Sequence, residues 1–496
     1  MLPVNTGGHS AYQNFVTENL RKYYPNPDLI PRATWDIIER FWHLDLSYTD
    51  ELLRSKYSVF GPKPRTPSCM QRSYLLSVDF KVDSITDWAA QLKINPLYAI
   101  LSGFEFGDTP GTGTFYDFFN RLWNSDDDNL STHVHPLKKK KVKKPKSKGA
   151  KADSIEKVTV AELLPELENT QFHLDEQPYD SLFKIYKKEF LDISVSMDLV
   201  HPDSLALAGD GTPVVTSHRE RKKRICDCKE KGIADCNCDR YFSQPDCDIG
   251  WDSSRDCFYH GYDLYMLVDS RSDLPMFGHF SCASKHDSHG FLHAFFRMKS
   301  FLPDFKVSKL LLDSAHDAMP YYEYCKREHI TPFIDLNAKA GRPPVYKDDF
   351  TIDTDGVPIC KAGFRMRRDG VEKAKGRTKF KCPKMNRIDG CLTCTCEAPC
   401  SDAKYGRTVH LVIKDNPRLF NDPPRSSKEW KMEYNARTSV ERSNKREKID
   451  FKLESGRHRS TKMWYCRLYH ILMLQHLDAW DLPDESALRK LIQRTA

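Results

Sequence analysis

Val307-Ser-Lys-Leu-Leu-Leu-Asp-Ser-Ala-His-Asp317 is a short apolar run that stops on an aspartate. Its length and polar boundaries predict a buried strand, and residues 320–328 beyond it predict a helix. Residues 331–336 predict the next strand. Upstream, residues 204–208 are apolar and end in Gly209-Asp210-Gly211-Thr212. Residues 262–268 and 276–283 are two further apolar runs. His286-Asp287-Ser288 opens a predicted helix through about residue 299, with Asp287 as its cap. Three strands, helix, strand, helix, strand is a mixed α/β layout. Asp210 and Asp313 each end an apolar strand in it, where ligands gather in such sheets. Asp269 and Asp335 end strands too and compete for the same role.

A late stretch, Tyr434-Asn-Ala-Arg-Thr-Ser-Val-Glu-Arg-Ser-Asn-Lys-Arg-Glu-Lys448, supplies a third acid. Read as one helix at roughly 100° per residue, it brings Tyr434, Arg437, Glu441 and Lys448 within about 60° of one another. A solvated helix laced with ion pairs reads the same way. The two strand-end aspartates favour another reading. Three carboxylates from three elements make an oxygen cage for one or two Mg2+ ions.

The remaining composition sets bounds. At 496 residues, 40% of them hydrophobic, the chain should form two to four domains with real cores. A net charge of +7 permits a polyanionic partner without demanding one. The first residues lack a signal-peptide core, and no run of about 18 apolar residues occurs, so no membrane span and a cytoplasmic location are expected. Residues 463–480 come closest and read as a buried amphipathic closing helix. The 16 cysteines should then be reduced, which favours metal over disulfides where they cluster. Residues 137–151 hold nine lysines and read as a tether, a strap along a nucleic-acid backbone, or both. Residues 84–123 fit a helix-turn-helix reader or a plain helical bundle equally well.

These features resemble the DDE transposases of bacterial insertion sequences, in the group whose signature is Tyr-x2-Arg-x3-Glu-x6-Lys. Tyr434, Arg437, Glu441 and Lys448 match that spacing. Asp210-Gly-Thr-Pro, Gly261-Tyr-Asp-Leu-Tyr-Met-Leu-Val-Asp269, His286-Asp287-Ser288 and Leu312-Asp313-Ser-Ala-His-Asp317 look like the family as well. The resemblance covers most of roughly 70–480. It implies an α/β fold: an RNase H-like mixed-sheet core with an insertion, preceded by a helical N-terminal DNA-binding region. It assigns Asp210, Asp313 and Glu441 to a catalytic triad holding Mg2+ or Mn2+, and Tyr434, Arg437 and Lys448 to DNA phosphates. The implied function is metal-dependent cleavage of element ends and strand transfer. The partners would be double-stranded element and target DNA, bound by a homodimer on paired ends at the nucleoid. The alternatives are a catalytically silent, transposase-derived DNA-binding protein or repressor, and a nuclease without strand transfer.

The expected layout follows. Residues 1–130 form the helical DNA-end-binding region, 131–155 the lysine-rich linker and 156–202 a helical connector. Residues 203–345 form the first part of the core, with a cysteine-rich insert at 218–258. Residues 346–425 are the insertion, and 426–496 complete the core. Cys226, Cys228, Cys236, Cys238, Cys247 and Cys257 are either a zinc site or a metal-free hairpin loop. In the insertion, Cys382, Cys391, Cys394 and Cys400 resemble a quartet found in a subset of these transposases, with Cys396 spare. They imply a structural Zn2+ site, against a metal-free loop. His286, His289 and His293 fit surface or core roles better than metal binding. A basic band from Arg365 to Lys381 reads as a DNA backbone track or a solvated face.

Overall fold

The apolar runs between residues 204 and 336 build one six-stranded sheet. The strands are Leu205–Val215 (β1), Asp248–Asp252 (β2), Cys257–Asp269 (β3), Pro275–Cys282 (β4), Val307–Leu312 (β5) and Thr331–Ile334 (β6). Their order is β2-β3-β1-β5-β6, with β4 also pairing β3. The pairs around β3 are antiparallel, whereas β1–β5 and β5–β6 are parallel. Parallel neighbours need crossovers. Asp287–Phe301 (α1) leads from β4 to β5, and Met319–Arg327 (α2) from β5 to β6. Every residue from Tyr262 to Asp269 is buried, which explains an apolar run without alternation. This mixed sheet is consistent with an RNase H-like core.

The computed structural model describes residues 8–58, 60–130, 158–169, 176–216, 223–224, 228, 230–233, 240–241, 244–337, 345–346, 350–353, 355–456, 458–481 and 486–493. The lysine-rich stretch at 138–151, and Cys226, Cys236 and Cys238, lie outside the described residues.

The N-terminal helices share a single apolar core with the sheet. Ser84 caps Ile85–Ile94 by accepting from the Asp87 N–H. The helical signal over 84–101 is two helices, not one. Pro96 cannot continue the first, so Asn95 caps a second, Pro96–Ser102, that ends on Gly103 at φ 88°. The closing helix Thr461–Ala479 (α5) is buried on every face from Thr461 to Leu477 rather than amphipathic. The N-terminal helix Pro67–Asp79 covers it on one side and β4 on another. Two of its histidines find partners inside: His470 Nε2 lies 3.1 Å from Gln71 Oε1, and His476 sits between the hydroxyls of Tyr186 and Ser194. Among the described residues, no helix is long and apolar enough to cross a membrane.

The insertion has a small core of its own, including Phe350, Ile352, Met366, Phe380 and Leu411. Two arginines, Arg418 partly exposed and Arg425 buried, tie its far end to the sheet. Arg418 clamps the fully buried Asp317 with two hydrogen bonds. Arg425 donates to the Ile334 carbonyl and the Tyr322 hydroxyl.

Candidate active site

Asp210 lies in the middle of β1, not at its end. The strand runs on to Val215 because β3 pairs it through Val215 and Gly261. On the other edge the β5 ladder stops at Ala208 and Leu311. Asp210 and Asp313 each lie two residues beyond that last pair, near enough for the Asp313 charge to act on Asp210. The two acids therefore meet where parallel pairing ends.

Their environments differ. The Asp210 carboxyl is raised to about 7, by burial first and then by Asp313 and Asp287, against the opposing pull of Arg437. Burial alone would raise Asp313 as well. The His316 ring, the Ala315 N–H and Arg437 more than offset this and hold it below its ordinary value. Asp313 Oδ1 accepts from Ala315 N at 3.1 Å and lies 2.6 Å from His316 Nδ1.

The stretch Tyr434–Lys448 is not one helix. It is split among Lys428–Asn435 (α3), Thr438–Lys445 (α4) and a π-turn, Arg446–Asp450. The N–H groups of residues 436, 437, 439 and 440 bond three residues back, which tightens the chain and shifts its phase. Tyr434 closes α3 and stacks on Trp430 at 4.6 Å. Arg437 occupies the joint: its guanidinium lies 4.0 Å from Asp210 and 2.5 Å from Glu441. Glu441 is half exposed on α4. Lys448, on the π-turn, donates to the Pro213 carbonyl and lies 3.6 Å from Glu454.

Arg437 thus links Asp210 to Glu441, and register links Asp210 to Asp313. Among the described residues, no three His, Cys, Asp or Glu side chains form a metal-binding group as they stand. The donor chemistry nevertheless fits a hard divalent cation, since the acids offer only carboxylate oxygens. The two competing aspartates differ. Asp269 accepts from Ser272 in the β3–β4 turn, whereas Asp335, just past β6, stays near the site. Burial raises the Tyr434 hydroxyl first, and Asp335 pushes it up together with Asp313.

Three neighbours were given no part in the acid site by the sequence. Asp263, on β3, is 5% exposed, and its Oδ2 has no hydrogen-bond partner. Asp287 is not the cap of α1: His286 is, accepting from the Ser288 N–H, which frees Asp287 to face inward. A Cβ on Gly211 would stand 2.8 Å from Asp287 Oδ1 and 3.3 Å from Asp263 Oδ1, so a bare backbone makes room for both acids. Burial, Asp287 and Asp210 push Asp263 well above the carboxylate range. His316, fully buried, is the third. An aspartate interrupting an otherwise apolar strand was the available signal for Asp263.

The other expected groups are spread more widely. Cys391 and Cys394 occupy opposite ends of one exposed strand, paired with Ile388 and Met385. Cys382 is buried, and burial together with Cys360 and Cys382 raises the Cys400 thiol. Cys360 was not among the expected ligands. The basic band is largely neutralised from within: Arg365 pairs with Asp353 and Asp355, Lys379 and Lys381 with Asp369, and Arg377 with Glu372. His293 stacks beside His279, with ring centroids 6.0 Å apart.

Sheet and acids together define a class: mixed-sheet α/β proteins with carboxylates gathered where antiparallel strands give way to parallel ones. The family model described as "Transposase DDE domain" matches residues 202–475, more than half of the chain. The chain belongs to that family of transposases. A search of curated proteins gave no match.

Proposed function

We propose that the chain is an active DDE transposase of the Tyr-Arg-Glu-Lys signature group that cleaves the ends of an insertion sequence and joins them to target DNA. The observation that carries this reading is the convergence of Asp210 and Asp313 at the end of the parallel ladder, with Arg437 joining Asp210 to Glu441. A divalent cation held by Asp210, Asp313 and Glu441 would activate the attacking oxygen and stabilise the leaving one. The chain's own residues position the DNA. Arg437 presents a guanidinium suited to bidentate contact with a phosphate. Lys448 and Tyr434 flank it on the π-turn and on α3.

Mg2+ is the expected ion, with Mn2+ as substitute. Paired ends call for a homodimer, and double-stranded DNA places the protein at the nucleoid. The N-terminal helices, on this reading, hold the element end. A structural Zn2+ among Cys382, Cys391, Cys394 and Cys400 is part of the proposal; the proximity of Cys400 to Cys382 supports it, and the zinc content of purified protein tests it.

The deciding experiment incubates the protein with Mg2+, duplexes carrying its own element ends, and a target plasmid. Nicked ends followed by joined products are expected. Binding without cleavage under any metal would establish the silent DNA-binding protein instead. Cleavage that never yields joined products would establish a nuclease.

A further inference from the structure

The turn after β5 contains a buried histidine that the proposed chemistry does not use. His316 is 0% exposed. Its Nδ1 lies 2.6 Å from Asp313 Oδ1, and its Nε2 lies 2.9 Å from the Tyr265 hydroxyl. The bond to Tyr265 runs through buried space toward the face of β3, and the bond to Asp313 leads outward to a partly exposed carboxylate. A Cβ on Gly209 would stand 2.8 Å from the Tyr265 oxygen, so Tyr265 crosses β1 at the residue next to Asp210. Phe291 and Tyr321 pack edge-on and tilted against the imidazole and fix its plane.

We infer that His316 is a positioning residue for Asp313, held in its working tautomer by Tyr265. An ionised carboxylate only accepts hydrogen bonds, so Nδ1 carries the hydrogen that Asp313 receives. Nε2 then accepts from the Tyr265 hydroxyl. The effect is to fix one oxygen of Asp313 and leave the other for an ion. Hydrogen-bonded carboxylates of this kind hold metal more tightly, and losing the outer partner typically costs about 10–100-fold in affinity or activity.

The inference rests on Asp313 being a metal ligand, and the test separates the two claims. Mn2+ binding to DNA-free protein is measured by electron paramagnetic resonance, alongside the Mn2+ concentration that half-saturates end nicking. Loss of Mn2+ binding in Asp313→Asn checks the ligand claim first; unchanged binding there overturns that claim. For the positioning claim, His316→Gln removes the donor at the Nδ1 position, whereas His316→Asn keeps one there. We expect His316→Gln to weaken Mn2+ binding by about 10–100-fold and His316→Asn to restore most of it. Tyr265→Phe, nearly isosteric, should weaken binding in the wild-type background and have little effect in His316→Asn, where no tautomer needs holding. Equal Mn2+ affinity in wild type, His316→Gln and Tyr265→Phe would overturn the inference. So would equal weakening by Gln and Asn with unchanged melting temperatures.

Discussion

At the scale of single residues, the acids divide into those that face other acids and those sealed in protein. Glu189 and Glu447 belong to the second kind. Burial pushes each up to about 8 from an ordinary 4.5, with Thr49 opposing it at Glu189 and Ser443 and Gln475 opposing it at Glu447. A carboxyl whose folded pKa is raised binds its proton more tightly in the native state. Its contribution is therefore complete below 4.5 and is lost as pH rises through about 8. Urea unfolding across that window should show stability falling with pH. Glu189→Gln and Glu447→Gln should each flatten the fall and exceed wild type in stability at the alkaline end. A slope unchanged by both substitutions would refute this. Asp210 and Asp313 were legible in the sequence because each follows an apolar run. Their partner His316 was not: a histidine in a turn reads alike whether it points to solvent or inward to a carboxylate.

At the scale of elements, strand content was readable and strand extent was not. β1 outruns its apolar segment because β3 pairs with it far beyond Asp210, and pairing between distant segments leaves no local trace. Gly261 shows how close that pairing is. A Cβ there would stand 1.9 Å from the Val214 carbonyl oxygen. Gly261→Ala should therefore lower stability by about 1–3 kcal/mol, read as a fall in melting temperature. Gly113, with nothing within 4 Å of its would-be Cβ, tolerates the same change without loss. The signature stretch was legible as helix, but its division was not. Nothing in the spacing of Tyr434, Arg437, Glu441 and Lys448 announces a tightened joint at 436–440, yet that joint places Arg437 between Asp210 and Glu441.

At the scale of the whole molecule, the insertion is a separate small core held to the sheet by a few buried charges. Asp317 is fully buried and answers to Arg418. Arg418→Ala removes two charge-assisted hydrogen bonds and leaves those from the Tyr322 hydroxyl and the Asn337 N–H, at a cost of about 1–3 kcal/mol. Limited proteolysis should then cut within 350–420 before the core is attacked; a pattern like wild type would contradict this coupling. The basic band carries less free charge than a count of its cations suggests, because acids within it or just before it pair with Arg365, Arg377, Lys379 and Lys381. Three acids separated by over two hundred residues can be proposed as a set from the sequence because each carries its own local signature. The central claim is that Asp210, Asp313 and Glu441 act as one unit. Single-turnover nicking of element-end DNA tests it most directly, using Asp210→Asn, Asp313→Asn, Glu441→Gln and their pairwise combinations in Mg2+. The account predicts that each single variant loses about three orders of magnitude or more and that double variants lose little beyond that, as groups acting together do. Wild-type nicking by any single variant, or losses that multiply in the doubles, would contradict it.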